Sequence, residues 1–546
     1  MEFRSDVITC SGKYSNNQQK LFSYGTAGFR TKADDLETVL FRMGLLAALR
    51  SKAKKAHIGL MITASHNPAC DNGVKLVDPY GEMMVESWEA HATHVANASD
   101  DELAGVLHCI VTEEHITADH TAQVVIGRDT RPSSNTLHAA AVSGVEALGG
   151  KVVDCGVVTT PLLHYRVRCA NDPSYGVASN EGYTDKLVET FLKLQSCAQP
   201  ATSCAQPATS CYCQDLLFDG ANGVGGLQMA IMAPRISQAL KLTIHNGGEG
   251  QGVLNYRCGA DFVKVSQSWP SGVPATPGSR CVSVDGDADR VVYSYIDELG
   301  AYHLMDGDKI ATLVVGFLQE QLSEAGLALR LGLVQTAYAN GASTAYVNDS
   351  LKVPVGFAKT GVKHLHHMAL SFDIGVYFEA NGHGTVIFSD SASAAIKEAA
   401  STDSPAARRL AAVKDLINET VGDAISDLLL VEVILRHRGW GMRDWDAQYH
   451  DMPNKLVTVR VADRSVFETT DAERRCTQPA ALQPAIDDLL STSFLHARAR
   501  TFVRPSGTED LVRVYAEAAT QSHVEELALQ VSRLVFDLAG GVGERP

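Results

Sequence analysis

Asp285, Asp287 and Asp289 alternate in the stretch VDGDADR, directly after the apolar run RCVSV. In extended backbone, side chains two positions apart share a face, so the three carboxylates can converge. Hard oxygen donors without cysteine or histidine suit Mg2+ better than zinc. An EF-hand loop also begins with alternating aspartates. It needs glycine at its sixth position and glutamate at its twelfth, where this chain has Arg290 and Ile296. A solvated acidic turn is the plainer alternative; three carboxylates plus Arg290 after an apolar strand favour the metal.

RPSGTEDLVR, residues 504–513, gathers anion-binding donors: Arg504, the Ser506 and Thr508 hydroxyls, the Gly507 backbone after Pro505, and Arg513. Guanidinium groups take phosphate through paired hydrogen bonds, and glycine lets the backbone approach closely. Pro-Ser-Gly is also ordinary turn chemistry, so alone the stretch reads equally as a turn with one salt bridge.

TASHNP, residues 63–68, breaks the apolar run HIGLMIT. Ser65 beside His66 invites a hydrolase reading, yet adjacent side chains seldom face each other and no G-x-S-x-G elbow occurs. Asn67 before Pro68 is biased toward extended backbone, which predicts an exposed, stiff loop with Ser65, taken alone, as a turn serine. EANGHG, residues 379–384, offers Glu379, Ala380, Asn381 and His383 on a glycine-flexed loop, a set suited to sugar hydroxyls. A lone histidine is more often structural. Arg30 in YGTAGFR and Lys75 in DNGVKL read either as loop cations or as catalytic groups. Arg128 and Arg131 in GRDTRPSS read as surface residues in salt bridges.

Elements must hold these stretches in place. HIGLMIT, QVVIGRDT, KVVDCGVVTT, DLLFDGANG, RCVSVDGDADR, GLVQTAYANG and IGVYFEANGHG are strand-like, and each ends in small or polar residues. LHAAAVSGVEALG and GDKIATLVVGFLQEQLSEAG are helix-like. The alternation predicts α/β units with parallel strands, whose ligands bind at loops beyond the strand carboxyl ends. From about residue 440 the pattern predicts a smaller α+β unit: the alternating strand KLVTVRVADRSVF, the charged stretch TTDAERR and the amphipathic helix HVEELALQVSRLVFDLAG. GWGMRDWDAQYHDMPN, 439–454, reads as the linker. SCAQPAT occurs at 196–202 and again at 203–209, a duplicated surface loop whose cysteines fit no zinc spacing.

At 546 residues the chain has room for three or four domains. Its 47 basic against 63 acidic residues give a net charge of −16, which argues against non-specific nucleic-acid or anionic-membrane binding. There is no apolar run long enough to span a bilayer, and MEFRSDVITC lacks the apolar core of a signal peptide. Twelve cysteines without a C-x-x-C pair look like cytosolic thiols, so a cytoplasmic protein is expected.

In this order, TASHNP, DGDADR, EANGH and RPSGTE resemble the phosphoserine, metal, sugar-selecting and phosphate loops of the α-D-phosphohexomutase superfamily. The resemblance covers nearly the whole chain. YGTAGFRTKAD, VQTAYANG, TGVKHLHH and INETVGDAISDLL are similar to its eukaryotic branch acting on N-acetylglucosamine phosphates. The resemblance implies an α/β fold of four domains around a central cleft. Domain 1 (1–185) bears the phosphoserine loop, domain 2 (186–303) the metal loop and domain 3 (304–438) the sugar loop. Domain 4 (439–546), smaller and α+β, bears the phosphate loop.

The resemblance further implies that Ser65 carries a phosphoryl group and, with Asp285, Asp287 and Asp289, holds Mg2+, supported by Arg290. Arg504, Pro505, Ser506, Gly507, Thr508 and Arg513 would anchor a sugar phosphate whose hydroxyls meet Glu379, Ala380, Asn381 and His383. Ser65, His66, Lys75 and Arg30 would form the catalytic group, the last three being candidate bases. The implied enzyme is a mutase, an isomerase that interconverts N-acetylglucosamine 6-phosphate and 1-phosphate. It works through a sugar 1,6-bisphosphate, both intermediate and activator, toward UDP-GlcNAc. A glucose or mannose phosphomutase, a metal-dependent serine phosphatase and a non-catalytic sugar-phosphate binder are the alternatives.

Overall fold

The computed structural model describes residues 12–16, 20–196, 211–248, 250, 252–402, 404–507 and 509–546; Thr508 and the SCAQPAT repeat after Ser196 lie outside them. Two compact units emerge. One comprises the described residues of Met1–Asp306, Asn381–Thr385 and Arg408–Met442, the other those of Gly307–Ala380, Val386–Ala407 and Arg443–Pro546.

The first unit contains two sheets. Strands β1 (Phe29–Lys32), β2 (His57–Ile62), β3 (Asp71–Val77), β4 (Gln123–Arg128) and β5 (Lys151–Val157) lie in the order β1-β3-β2-β4-β5. β2, β4 and β5 are parallel, while β3 is antiparallel to both β2 and β1. Central strands covered on both faces need continuous apolar sequence, and IGLMI of β2 is buried throughout. Helices Glu37–Lys54 and Ser134–Ala147 meet at backbone contact. A Cβ on Gly44 would lie 2.1 Å from the Ala141 carbonyl oxygen, and one on Gly144 2.0 Å from that of Phe41.

Strands β6 (Asp215–Asp219), β7 (Lys241–His245), β8 (Arg280–Val284), β9 (Val291–Ile296) and β10 (Tyr302–Met305) form the second sheet, ordered β10-β9-β8-β6-β7. Its pattern repeats the first: two antiparallel pairings, then two parallel ones. The buried helix Ala424–Arg438 belongs to this unit. Asp423 caps it, accepting from the Ile425 and Ser426 amides at 3.1 and 3.2 Å and from the Tyr183 hydroxyl at 2.9 Å. One turn on, Asp427 is 1% exposed, and neither carboxylate oxygen has a hydrogen-bond partner among the described residues.

In the second unit, β11 (Leu331–Gln335), β12 (Val355–Phe357), β13 (Ile374–Phe378) and β14 (Gly384–Phe388) are ordered β12-β11-β13-β14. The tail adds β15 (Asn454–Arg460), β16 (Glu468–Thr470), β17 (Arg475–Gln478), β18 (Arg500–Pro505) and β19 (Leu511–Glu517), paired as β15-β19-β18 and β16-β17. Helix Gln521–Leu538 sets Val524, Leu527, Val531 and Val535 against Val459, Val512 and Val514, the helical spacing that predicted it.

All four motifs occupy the same kind of place. Residues 63–70 join β2 to β3, 285–290 join β8 to β9, 379–383 join β13 to β14, and 506–510 join β18 to β19. Each is the turn between two neighbouring strands.

Three expectations change. The helix Asn180–Ser196 and β10 run through the domain limits expected at 185 and 303, since no glycine or proline stands at or beside either limit. The stretch 439–454 is no slack linker: it contains a short helix, Met442–Asp446, with Trp445 fully buried and its indole N–H donating to the Lys309 carbonyl at 3.1 Å.

Candidate active site

Ser65, three residues beyond the end of β2, has φ of 50°, a left-handed conformation. It is fully buried, not exposed as the Asn-Pro pair suggested. Arg131 explains why. Its Nη2 donates to the Ser65 and Asn67 carbonyls at 2.9 Å each, and its Nη1 to the Asp71 carbonyl at 2.8 Å and to that of Pro68. Asp129 holds Arg131 at 2.9 Å and accepts from the Thr63 hydroxyl at 2.7 Å. The Thr63 oxygen in turn receives the Ser65 amide at 2.9 Å. Arg131 is therefore the buried clasp of the serine loop, and its expected place on the surface is corrected. Arg128 does pair with Asp154, at 3.0 Å. Asn255 adds a second clasp, donating to the Ser65 and Asn67 carbonyls at 2.8 and 3.0 Å.

The hydroxyl of Ser65 donates to Asp285 Oδ2 at 2.5 Å, across 220 residues of sequence. Oxygens of Asp285, Asp287 and Asp289 lie within 4.8 Å of one another, all buried. They converge through a turn, not through the extended alternation read from sequence. The Ala288 amide donates to the Asp285 carbonyl at 3.1 Å, Ala288 has φ of 58°, and the Asp289 and Arg290 amides donate to Asp285 Oδ1 at 3.0 and 3.1 Å. Gly286 is required by the approach of the two loops, because a Cβ there would come within 2.6 Å of the Ser65 carbonyl oxygen.

Cations surround the cluster. Lys75 Nζ lies 3.3 Å from Asp287 and 3.2 Å from Asp289, and the Thr160 hydroxyl donates to Asp287 at 2.7 Å. His383 Nδ1 is 3.2 Å from Asp289 Oδ1. Arg290 pairs with Asp261 at 3.3 Å. Burial, then the neighbouring carboxylates, raises the Asp285 carboxyl well above its ordinary range. Burial would raise Asp289 too, but Lys75, His383 and Arg290 hold it well below. His66 Nδ1 lies 3.4 Å from the Ser65 hydroxyl. Burial, helped by Arg290 and Arg30, pushes the His66 imidazole down to about 3, so it is neutral at physiological pH. Burial and Arg290 likewise lower the Arg30 guanidinium.

Cofactor fit follows from the donors. The cluster presents hard oxygens only, and Asp287 Oδ1 is buried without a hydrogen-bond partner among the described residues, as a ligand for a divalent cation would be.

The second unit holds the 504–513 stretch and the start of the 379–384 loop, Glu379 and Ala380. Arg504 and Arg513 sit opposite each other on β18 and β19. Arg504 Nε donates to Glu473 at 2.8 Å, and the Ser506 amide donates to the Leu511 carbonyl at 2.9 Å, closing the turn. Pro505 ends β18 opposite Val512. A Cβ on Gly507 would meet nothing within 4 Å among the described residues beyond its chain neighbours. Glu379 accepts from the Gly361 amide at 3.2 Å, and the Ala380 carbonyl accepts from the Gly307 amide at 3.3 Å. Asn381 accepts from the His383 amide at 3.0 Å within its own loop. Sequence reading missed Thr160, Asn255 and Glu473. They carry no motif and reach the loops from remote elements.

Residues 177–292 and 306–440 match the family models of phosphoacetylglucosamine mutase AMG1, domains II and III. Residues 31–103 and 96–178 match the phosphoglucomutase/phosphomannomutase alpha/beta/alpha domain I, and 456–534 its C-terminal domain. The phosphoacetylglucosamine mutase of Mus musculus is 52% identical over 99% of this chain and 98% of its own length. That of Saccharomyces cerevisiae is 43% identical over 93% of this chain and 95% of its own. An N-acetylphosphoglucosamine mutase of Aspergillus fumigatus, solved with GlcNAc-6P and magnesium, matches with a TM-score of 0.92 at 44% identity, covering 98% of this chain and 99% of that one. Another structure from the same organism, with glucose 1,6-bisphosphate, gives 0.90 at 45% identity over 99% of both chains.

Proposed function

The chain belongs to the phosphoacetylglucosamine mutase family, and from that premise we infer that it interconverts N-acetylglucosamine 6-phosphate and 1-phosphate through a phosphoryl group on Ser65. The observation that carries this reading is the Ser65 hydroxyl bonded at 2.5 Å to a buried three-carboxylate cluster. Asp285, Asp287 and Asp289, with Ser65 beside them, would hold Mg2+. Bound there, the ion would neutralise charge on the phosphoryl oxygens during transfer.

The residues divide the work by their chemistry. Arg504, Ser506, Gly507, Thr508 and Arg513, ordered by Pro505, anchor the phosphate that is not reacting. The open space over Gly507 supports a ligand approaching its backbone. Glu379, Ala380 and Asn381 meet the sugar hydroxyls. His383 touches Asp289, so it steadies the carboxylate cluster as well. The sugar 1-hydroxyl attacks phospho-Ser65. A bond from phosphorus to the sugar oxygen forms, the bond to Ser65 Oγ breaks, and the serine oxygen is reprotonated. The 1,6-bisphosphate then turns round and returns its 6-phosphate to Ser65. Lys75 passes the proton: a His66 imidazole held near pKa 3 is too weak a base, and the guanidiniums of Arg30 and Arg290 supply charge.

Four successive family matches support four domains, with the first division ahead of helix Asn180–Ser196 and the second after β10. The product, a sugar 1-phosphate, is the form that nucleotidyl transfer converts to UDP-GlcNAc. A cytoplasmic site of action is consistent with the nine described cysteines, all free thiols. Among the described residues no helix is long and apolar enough to cross a membrane.

Phosphorus NMR of N-acetylglucosamine 6-phosphate with Mg2+ and a trace of sugar 1,6-bisphosphate tests the reading. Wild type should produce the 1-phosphate, and faster than from glucose 6-phosphate. Ser65→Ala should produce none while still binding the sugar phosphate within about threefold of wild type. Steady release of free phosphate would establish a phosphatase instead.

A further inference from the structure

The charged stretch TTDAERR forms the tip of the β16–β17 hairpin, and its backbone is unusual. Asp471, Ala472 and Glu473 have φ of 52°, 54° and 67°, three successive left-handed residues with no glycine among them. Such backbone persists only where the surroundings over-determine it, and it clusters at functional positions. Here Arg474 does part of the holding. Its Nη2 donates to Asp471 at 2.6 Å, its Nε to the Asp471 carbonyl at 3.1 Å, and its guanidinium lies 4.0 Å from the ring centre of Phe357 in β12.

The turn delivers the Glu473 carboxylate to two places at once. One oxygen accepts from the Thr360 amide at 2.8 Å and from the Thr360 hydroxyl at 2.6 Å. The other accepts from Arg504 Nε at 2.8 Å. The next residue, Gly361, donates its amide to Glu379 at 3.2 Å. A continuous polar chain thus joins the phosphate-loop arginine to the sugar-loop glutamate. An isolated surface ion pair would contribute little. This one shares its carboxylate with Thr360 and is mostly shielded, the Glu473 and Arg504 side chains being 13% and 17% exposed.

We propose that Glu473 is a positioning residue for the sugar phosphate, fixing the Arg504 guanidinium through Nε so that its two terminal nitrogens form the phosphate fork at a set distance from Glu379. The inference rests on the reading of 504–513 as the phosphate loop. With Nε already tied, less side-chain freedom is lost when phosphate binds, and the fork is held in the orientation that bidentate recognition needs. Because Glu473 works through Arg504, its effect belongs to binding and vanishes when the guanidinium is absent.

The test is a double-mutant cycle with Glu473→Gln, Arg504→Ala and the pair, each read by calorimetric binding of N-acetylglucosamine 6-phosphate and by steady-state kinetics. Glu473→Gln, isosteric and uncharged, should raise Kd and KM about tenfold with kcat within about twofold. In the Arg504→Ala background the same change should add less than about twofold. Equal penalties in both backgrounds, or a Glu473→Gln enzyme that binds like wild type, would sink the proposal. If Arg504→Ala itself binds like wild type, the phosphate-loop reading fails instead, and this inference with it.

Discussion

Thr160 shows how a single hydroxyl can tune the cluster it does not belong to. It donates to Asp287 Oδ2 at 2.7 Å, while the other oxygen of that carboxylate has no hydrogen-bond partner among the described residues. Outer partners of this sort order the donors of a metal site, and their loss typically weakens metal affinity 10–100-fold. Thr160→Val keeps the shape and removes the donor. The half-saturating Mg2+ concentration should therefore rise by about tenfold, with the rate recovered at saturating Mg2+. A titration of activity against Mg2+ in both proteins checks this; an unchanged midpoint would mean that the hydroxyl only fills space.

At the level of elements, the helix Ala424–Arg438 carries a built-in sensitivity to pH. Burial, and then the nearby Asp423 carboxylate, pushes the Asp427 carboxyl well above its ordinary range. The folded chain therefore retains a proton at Asp427 that the unfolded chain has released. Its contribution to stability is fully present below the ordinary carboxylate range and is lost as pH rises through the elevated value. Asp427→Asn removes the ionisable group, so its Tm should fall less than that of wild type between pH 5 and pH 8, by about 2–4 °C. Thermal melts at the two pH values decide it; parallel losses would show that Asp427 does not titrate in this window. The elements themselves were legible: every strand-like run read from sequence is a strand, the central ones because a strand covered on both faces demands apolar residues and a polar stop. The candidate site was legible where one loop contains its own chemistry, as in TASHNP, DGDADR and RPSGTE. Arg131, Asn255 and Glu473 were not legible, because a charged or polar residue in a loop looks the same in sequence whether it faces water or clasps a backbone 60 or more residues away.

Across the whole molecule, the proposed roles of phosphoryl transfer and sugar choice fall on separate turns of separate sheets. Glu379→Ala should accordingly lower kcat/KM for N-acetylglucosamine 6-phosphate by roughly 10–100-fold, the effect of one lost hydrogen bond to a hydroxyl. Phosphorylation of Ser65, read as an added phosphate in the intact mass, should persist. Loss of the phosphoserine in that variant would show that the two functions are inseparable. The first two sheets share one plan, antiparallel pairings on one side and parallel on the other, and in both the reactive turn leaves the central strand for its antiparallel neighbour. A lineage that copies such a unit inherits a finished scaffold with one replaceable turn. Descendants can then rewrite the turn that reads the sugar while the turn bearing the serine passes on unaltered, so new substrate preferences arise without the chemistry having to be reinvented.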